Sequence, residues 1–599
     1  MSNNNPSSYY NERLKILQSR IKQLNILKRK LAWLRLISFM AAVVALWLLW
    51  ASSWSVAVLI FLALISIFIY FVSKDQLNSE AIDNTLFLIT INENEIKTLD
   101  HQYLNQPDGS DWKPVYHPYA NDLDIFGRAS LYQYFNRTTS EQGNQLMAEW
   151  FSEPAGKPVI EKRQEATREL SGLLEWRQQF QAFGMKKRLT IKTEKNIRQW
   201  LEEKNMFLDN NFWKVFRMLF PVLSISFFGL YLADYITFSQ YLPVILLFLG
   251  ISFLVSRKIN PAYNTLNKIT SELETLSDSI DWIEKKSFRS SLLNELSASY
   301  SFSDSKVSVT IRQLKKILDR LDYRLNPVVY IPLSALLCWD LQQIFGLEKW
   351  KIKNKNQTSH WFAALADTEC LSSLGNLSFN HPDWCFPVII EEEPFLKAEE
   401  MGHPLIPANK RVNNSFITKG ISQLCLITGS NMAGKSTFLR STGVNIVLAM
   451  MGAPVCAKSF SLSPTKIISS MRVNDNLEEN TSTFYAELKK LKEILTAVYE
   501  NKKVFLLLDE ILRGTNSADR HTGSTALLKQ LIKHNAVGMV ATHDLELANL
   551  AKEFPDNIHN YHFDVQVNGE ELFFDYKLKK GICKSMNASI LMKKIGIEL

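Results

Sequence analysis

Cysteine is scarce in this chain, and none of it is paired in sequence. Six cysteines occur in 599 residues: Cys338, Cys370, Cys385, Cys425, Cys456 and Cys583. No two form a C-x-x-C, so the spacing offers no zinc site and reads as free thiols of a reducing compartment. The start, MSNNNPSSYYNERLKILQ, lacks the early apolar run of a secretory signal, and no small-residue cleavage site follows. Charge is missing from two long stretches. Leu36 to Val72 holds no charged residue, and Met218 to Ser256 holds only Asp234. Disorder is excluded by 46% apolar and 21% charged residues. The length exceeds one ordinary core, so about two to four units are expected. The net charge of +8 suits nucleic acid or an anionic membrane surface and does not choose between them.

The charge-free stretches read as two helical hairpins. A bilayer span takes roughly 20 residues, so Leu36–Val72 fits two spans joined near Ala51 to Ser55. Trp33, Trp47, Trp50 and Trp54 sit near the ends and the turn, where an interfacial belt would place them. The second hairpin divides at Ala233-Asp234-Tyr235. Arg35 and Lys74 flank the first hairpin; Lys214, Arg217, Arg257 and Lys258 flank the second. Basic flanks on both ends predict an inner-membrane, multi-pass chain with its remaining mass in the cytoplasm. No ionisable residue recurs inside the runs, so they read as an anchor and not as a transport path. Before them, residues 10–35 carry eight cations with Leu14, Leu17, Ile21, Leu24 and Leu31 at helical spacing. That pattern fits a juxtamembrane amphipathic helix or a short dimerising coiled coil.

Residues 140–210 and 261–345 read as helix, with little glycine or proline. Prolines at 382, 387, 394, 404 and 407 then mark a boundary. From Ser422 onward, apolar β-like runs alternate with helical ones, the pattern of an α/β domain with a largely parallel sheet. Within it, ITGSNMAGKSTFLR holds one G-x-x-x-x-G-K-S from Gly429 to Ser436, between a strand pattern and a helix pattern. Gly429, Ser430, Asn431, Met432, Ala433, Gly434, Lys435, Ser436 and Thr437 are the expected nucleotide-binding residues. Glycines let successive N–H groups face phosphates, Lys435 neutralises β- and γ-phosphate oxygens, and Ser436 offers a hydroxyl to Mg²⁺. VFLLLDE ends in Asp509, a second Mg²⁺ ligand through water, and Glu510, a general base for the attacking water. In VATHDLELA, His543 follows the next strand and is placed to meet the γ-phosphate or hold the water. His521 reads as a surface residue.

Asp509-Glu510 with a histidine after the next strand is the layout of ABC-type ATPases, whose sites close between two domains. The transporter loop L-S-G-G-Q is absent; MRVNDNLEENTSTFYAELKKL stands in its place.

These residues resemble the MutS family. GSNMAGKST is similar to G-P-N-M-G-G-K-S-T, with Ser430 for proline and Ala433 for glycine. NTSTFYAEL resembles the S-T-F-x-x-E segment, DEILRGTNSADR resembles D-E-I-G-R-G-T-S-T with Leu512 for a glycine, and ATHDLELANL resembles A-T-H-y-x-E-L. GHPLIPANKRVNN resembles the segment that opens the family's ATPase domain, and FDYKLKKGICKSMNASILMKKIGI its closing strand and helix. Further upstream, GRASLYQYFNRTTSEQGNQLMAEWFSEP and FAALADTECLSSLGNLS resemble the start and the last helix of the lever and core region. The Phe-x-Glu wedge of the mismatch-reading domain has no counterpart.

The resemblance implies a multidomain fold: a C-terminal α/β P-loop ATPase of ABC type, preceded by an all-α core and lever region that transmembrane hairpins interrupt. The expected divisions are 1–35 basic helix, 36–73 first hairpin, 74–120 linker, 121–214 first part of the core, 215–257 second hairpin, 258–395 second part of the core, and 396–599 ATPase. It implies ATP and Mg²⁺ as ligands, a homodimer, and DNA as a partner. Ser482 and Thr483 would reach the other subunit's ATP, and Arg513 and Thr515 would contact the partner. Two readings stay open: a membrane-anchored ATPase acting on mismatched or branched DNA, and a membrane mechanochemical ATPase without DNA.

Overall fold

The structure is a computed structural model and describes residues 5–51, 53–300, 306–391, 394–430, 433–472, 483–500, 503–568 and 571–583. A helical body comes first and a C-terminal domain with two mixed sheets follows.

The body opens with two long antiparallel helices, α1 (Pro6–Trp50) and α2 (Trp54–Leu99). Asn5 caps α1, its side chain accepting from the Ser7 N–H at 3.1 Å, and Pro6 fits the first turn. The basic stretch 1–35 is thus not a separate helix; it continues unbroken into the apolar run. Residues 74–120, read from sequence as a linker, are helical as far as Leu99. The reason lies in an inward stripe: Asn78, Ile82, Thr85, Leu88, Ile91, Asn92 and Glu95 recur every three or four residues and are buried.

Next come α3 (Leu131–Phe135), α4 (Glu141–Ser152), α5 (Lys157–Ser171), α6 (Leu174–Lys186) and α7 (Ile191–Glu202). The apolar pair α8 (Asn211–Leu232) and α9 (Phe238–Asn267) turns at Asp234, whose φ is 59°. The body ends with α10 (Thr270–Glu284), α11 (Ser291–Ala298), α12 (Val307–Leu321), α13 (Pro327–Leu337), α14 (Trp339–Asn354) and α15 (Thr358–Asn380). Among the described residues, four helices, α1, α2, α8 and α9, are long and apolar enough to cross a membrane.

Buried polar groups tie the body together. Glu369 on α15 accepts from the backbone N–H groups of Thr139 and Ser140 and from both their hydroxyls. The two body segments that carry the family likeness therefore meet at this carboxylate. Arg137 forms a buried ion pair with Glu95 on α2, and Asn380 donates to the same carboxylate at 2.8 Å.

The C-terminal domain holds strands β1 (Val388–Ile389), β2 (Phe395–Met401), β3 (Asn414–Lys419), β4 (Gln423–Thr428), β5 (Ser459–Leu462), β6 (Lys466–Ser470), β7 (Val504–Asp509), β8 (Val537–Thr542), β9 (Ile558–Asn568) and β10 (Glu571–Lys580). A small sheet has the order β1-β5-β2-β3 and the large one β10-β9-β4-β8-β7-β6. The large sheet is parallel except for β10. Its strands β4, β7 and β8 are buried along nearly their whole length, hence their continuous apolar runs. Helix α16 (Lys435–Met451) covers the face turned to the helical body, while α17 (Thr483–Tyr499) and α18 (Ser517–Lys533) cover the other. Two apolar clusters result, and the larger runs without interruption from the body into the sheet.

Candidate functional site

The registers of the large sheet place the site. Thr428 pairs with Thr542, and Asp509 pairs with Ala541, so β4, β7 and β8 end at one edge. Three loops leave there: 429–434 before α16, 510–516 before α18, and 543–545. Parallel sheets bind ligands at this edge, beyond the carboxyl ends of their strands.

The first loop needs its glycines. Gly429 has φ 148°, and a Cβ on it would lie 2.8 Å from the Phe563 carbonyl oxygen. Gly434 has φ 102° at the cap of α16, against the Tyr576 ring. Lys435 is 1% exposed, and its Nζ donates to the carbonyls of Gly429 at 2.6 Å and Ser430 at 3.0 Å. Burial pulls this ammonium below its ordinary range, while the charges of Glu510 and Asp509 act the other way. A bound polyanion would meet a desolvated cation at a helix N-terminus. Ala433 is buried, Ser436 and Ser430 half-buried, and Thr437 exposed. Asn431 and Met432 lie outside the described residues.

Asp509 closes the site from β7. Burial pushes its carboxyl up; a hydrogen bond from Ser436 and the Arg513 cation pull it back. Its Oδ1 is buried with no hydrogen-bond partner among the described residues. A buried orphan carboxylate oxygen beside a serine hydroxyl fits a divalent cation, so Ser436 and Asp509 are the residues that could hold one. Glu510 follows with φ 48° and is fixed by its own N–H, which donates to the Ala541 carbonyl at 2.9 Å. His543 Nδ1 lies 3.6 Å from Glu510 Oε1 and has no other partner among the described residues. Sequence reasoning thus placed Lys435, Ser436, Asp509, Glu510 and His543 in one cluster, and the structure brings these five together.

The loop after β7 folds back on the cluster. Arg513 Nε lies 3.2 Å from Glu510 Oε2 and donates to the Glu510 carbonyl at 3.1 Å. Within one subunit this arginine pairs with the carboxylate expected to act as base. Thr515 is half-buried on the same loop. Ser482 and the Thr483 side chain lie outside the described residues; the Thr483 backbone opens α17. His521, expected at the surface, pairs with Asp544 at 2.7 Å and is half-buried.

Three features had no role in the sequence reading. Glu487 on α17 is 4% exposed and accepts from the N–H groups of Leu512, Arg513 (3.3 Å) and Gly514 (3.5 Å). It is the acid of the S-T-F-x-x-E likeness, so a signal for it existed. Lys410 and Arg411, with Tyr576, line a cavity of about 330 Å³ that opens beside Gly434, Ser436 and Thr437. The volume falls in the range of small-molecule sites. Arg411 lies in GHPLIPANKRVNN, whereas Tyr576 reaches the site only because β10 folds back on β9.

Fold and site define a class: a helical body joined to a C-terminal mixed α/β domain, with a glycine loop, a buried lysine and a carboxylate pair at one sheet edge. Residues 425–595 match the family described as MutS domain V. The chain is 32% identical over 249 residues to human "MutS protein homolog 4", covering 40% of this chain and 26% of that protein. It is 31% identical over 226 residues to the DNA mismatch repair protein MutS of Desulfatibacillum aliphaticivorans, covering 36% and 25%. The corresponding protein of Protochlamydia amoebophila is 32% identical over 227 residues, covering 36% and 26%. These matches support membership of the MutS family. The chain spans about a quarter of the length of the curated relatives it matches.

Proposed function

We propose that the chain is an Mg²⁺-dependent ATP hydrolase of MutS type. In this reading α1, α2, α8 and α9 anchor it in the inner membrane, with the α/β domain on the cytoplasmic side. It works as a homodimer and couples ATP binding and hydrolysis to movement of its helical body on mismatched or branched DNA. The observation that carries the reading is the convergence of Lys435, Ser436, Asp509, Glu510 and His543 at one sheet edge. The loop N–H groups and Lys435 bind the phosphates. Ser436 and Asp509 would hold Mg²⁺, which when bound polarises the terminal phosphate. Glu510 takes a proton from the attacking water, and His543 positions that water. Arg513 must leave Glu510 for the base to be free, which gives a second subunit a lever on turnover. DNA comes to the proposal from the relatives, two of which are named as mismatch repair proteins.

A second reading, a membrane mechanochemical ATPase without DNA, is favoured by one observation. Between Arg217 and Arg257 the α8–α9 hairpin that interrupts the body exposes Met218, Val222, Leu247 and Phe253 and carries no cation that would meet phosphates.

The test uses the detergent-purified full chain. Mismatched, branched and perfect duplexes are titrated across salt, with ATPase rates measured alongside. Selective, salt-dependent binding that alters ATPase rate supports the first reading; equal weak binding with unchanged rate supports the second. Glu510→Gln is expected to keep ATP and trap the dimer, and wild-type hydrolysis by this variant sinks the assignment of the base.

A further inference from the structure

We propose that α13 is a re-entrant wedge, inserted among the lipid acyl chains of the leaflet nearest the α/β domain. The proposal rests on the membrane reading of α8 and α9. No charged residue occurs from Leu325 to Trp339. One exposed side carries Leu325 (76% exposed), Val328 (82%) and Ile331 (50%).

The register against the two apolar helices sets the depth. Tyr330 OH meets Ser256 Oγ at 3.3 Å, and the Ser252 hydroxyl donates to the Ser334 carbonyl at 2.6 Å. The Ser224 hydroxyl donates to the Leu336 carbonyl at 2.5 Å. As α13 runs forward, α9 is therefore met progressively farther from its basic flank, Arg257 and Lys258. The approach is fixed where Arg324 donates to Asn260 at 2.9 Å. The return is fixed where Arg217 and Gln342 exchange hydrogen bonds of 2.7 and 3.1 Å. Arg217 precedes Ser224 by seven residues, about 10 Å of helix. Both ends of the excursion thus lie on the same side, and a buried Arg324–Asp340 pair at 2.8 Å clamps them together.

Three further facts exclude a full crossing. The 11 residues of α13 are about 16 Å long, against roughly 30 Å of hydrocarbon. The chain bends by 80° at Cys338, which has φ 48°. Beyond it, α14 buries Leu341, Phe345 and Trp350 in the main core. The deep end also solves the problem that lipid poses for a helix terminus. Its last carbonyls have no water to bond, and Ser224 and Ser252 supply the donors instead. Just past the bend, Trp339 reaches back to stack on Tyr323 at 5.8 Å and to donate to the Arg320 carbonyl at 2.7 Å, which holds the excursion shallow.

The test reconstitutes the unmodified full chain in phosphatidylcholine vesicles containing a diazirine-bearing acyl chain. After photolysis, tryptic peptides are mapped by mass spectrometry. Adducts are expected on α8 and α9 and also on the peptide Leu325–Lys349, concentrated before Leu333. Adducts on α8 and α9 with none on Leu325–Lys349 overturn the wedge and leave the membrane reading standing. No adducts anywhere overturn both. A second measurement places an environment-sensitive fluorophore at Val328→Cys, with labelling of the parent protein subtracted. Blue-shifted emission quenched by a doxyl label high on the acyl chain supports the wedge. A blue shift without lipid quenching means that protein, such as a second copy, covers Val328, and overturns it.

Discussion

Replacing Glu487 with alanine tests how the loop carrying the carboxylates is held. This acid is buried on α17 and collects the N–H groups of Leu512, Arg513 and Gly514. The loop is strained: Glu510 and Leu512 have φ of 48° and 60° without being glycine. Glu487→Ala leaves the Leu512 N–H buried with no acceptor. Arg513 and Gly514 are exposed, so water can replace the anion there. A buried orphan donor costs about 1–3 kcal/mol and a lost charged hydrogen bond about as much, so a loss of about 3 kcal/mol is expected. For a domain of this size that is a fall in Tm of about 6–12 °C. Thermal melts of the detergent-purified full chain read it directly. Glu487→Gln retains a carbonyl for Leu512 and should recover part of the loss. Hydrolysis should fall in both variants, because the loop that follows Glu510 and carries Arg513 against it loses its anchor. A Glu487→Ala protein that melts with the wild type refutes the reasoning.

Lys435→Ala is expected to abolish nucleotide binding, read by titration with a fluorescent ATP analogue; wild-type affinity removes the phosphate-loop reading. Burial pushes His381 down to about 3 and His403 to about 4, so both are neutral in the folded chain near pH 7. Unfolded, each takes up a proton near pH 6.5. The stability present above that pH is therefore lost as pH falls toward the folded values, at up to about 1.4 kcal/mol per pH unit for each histidine. Tm should drop between pH 6.5 and 5, and His381→Gln should flatten the drop; a flat wild-type profile contradicts it. A fluorophore at Leu99→Cys should change emission when ATP is added, and not when Lys435→Ala is also present. An ATP response that survives Lys435→Ala would come from elsewhere than the site.

Much of the site was legible because its parts are local in sequence. The strand–loop–helix around Gly434 and the carboxylates ending β7 each fit within a dozen residues, and the parallel registers bring them together without further information. What depended on distant packing was not legible. Tyr576 reaches Gly434 only through the β9–β10 hairpin. Arg513 folds back onto Glu510, which no residue pattern announces. The extension of α2 to Leu99 was hidden by its polar text; its inward stripe includes Asn78, Thr85, Asn92 and Glu95, which read as exposed until α1, α6 and Arg137 cover them. The helical text at 327–337 gave no sign of depth, since that depends on which serines of α8 and α9 it meets.

The packing around Glu95 bears on how the two halves of the chain communicate. Helix α1 is 45 residues, about 68 Å, and a bilayer would take roughly 20 of them. The rest forms a stalk with α2, and the stalk is bolted to the body. Tyr10 donates to Asn380 at 2.7 Å, Asn380 to Glu95, and Glu95 pairs with Arg137. Breaking such a buried pair costs about 3–5 kcal/mol, so the stalk moves with α15 or not at all. The start of α1 and the end of α2, at Pro6 and Leu99, line a cavity of about 810 Å³ with Pro404, Pro407, Lys410 and Arg411. The same Lys410 and Arg411 wall the cavity beside Gly434. One short segment thus lines both the cavity beside Gly434 and the cavity at the foot of the stalk. A ligand that draws Arg411 inward changes the wall that faces Pro6 and Leu99. A stalk that follows it moves together with α15, because that motion leaves the Glu95–Arg137 pair intact.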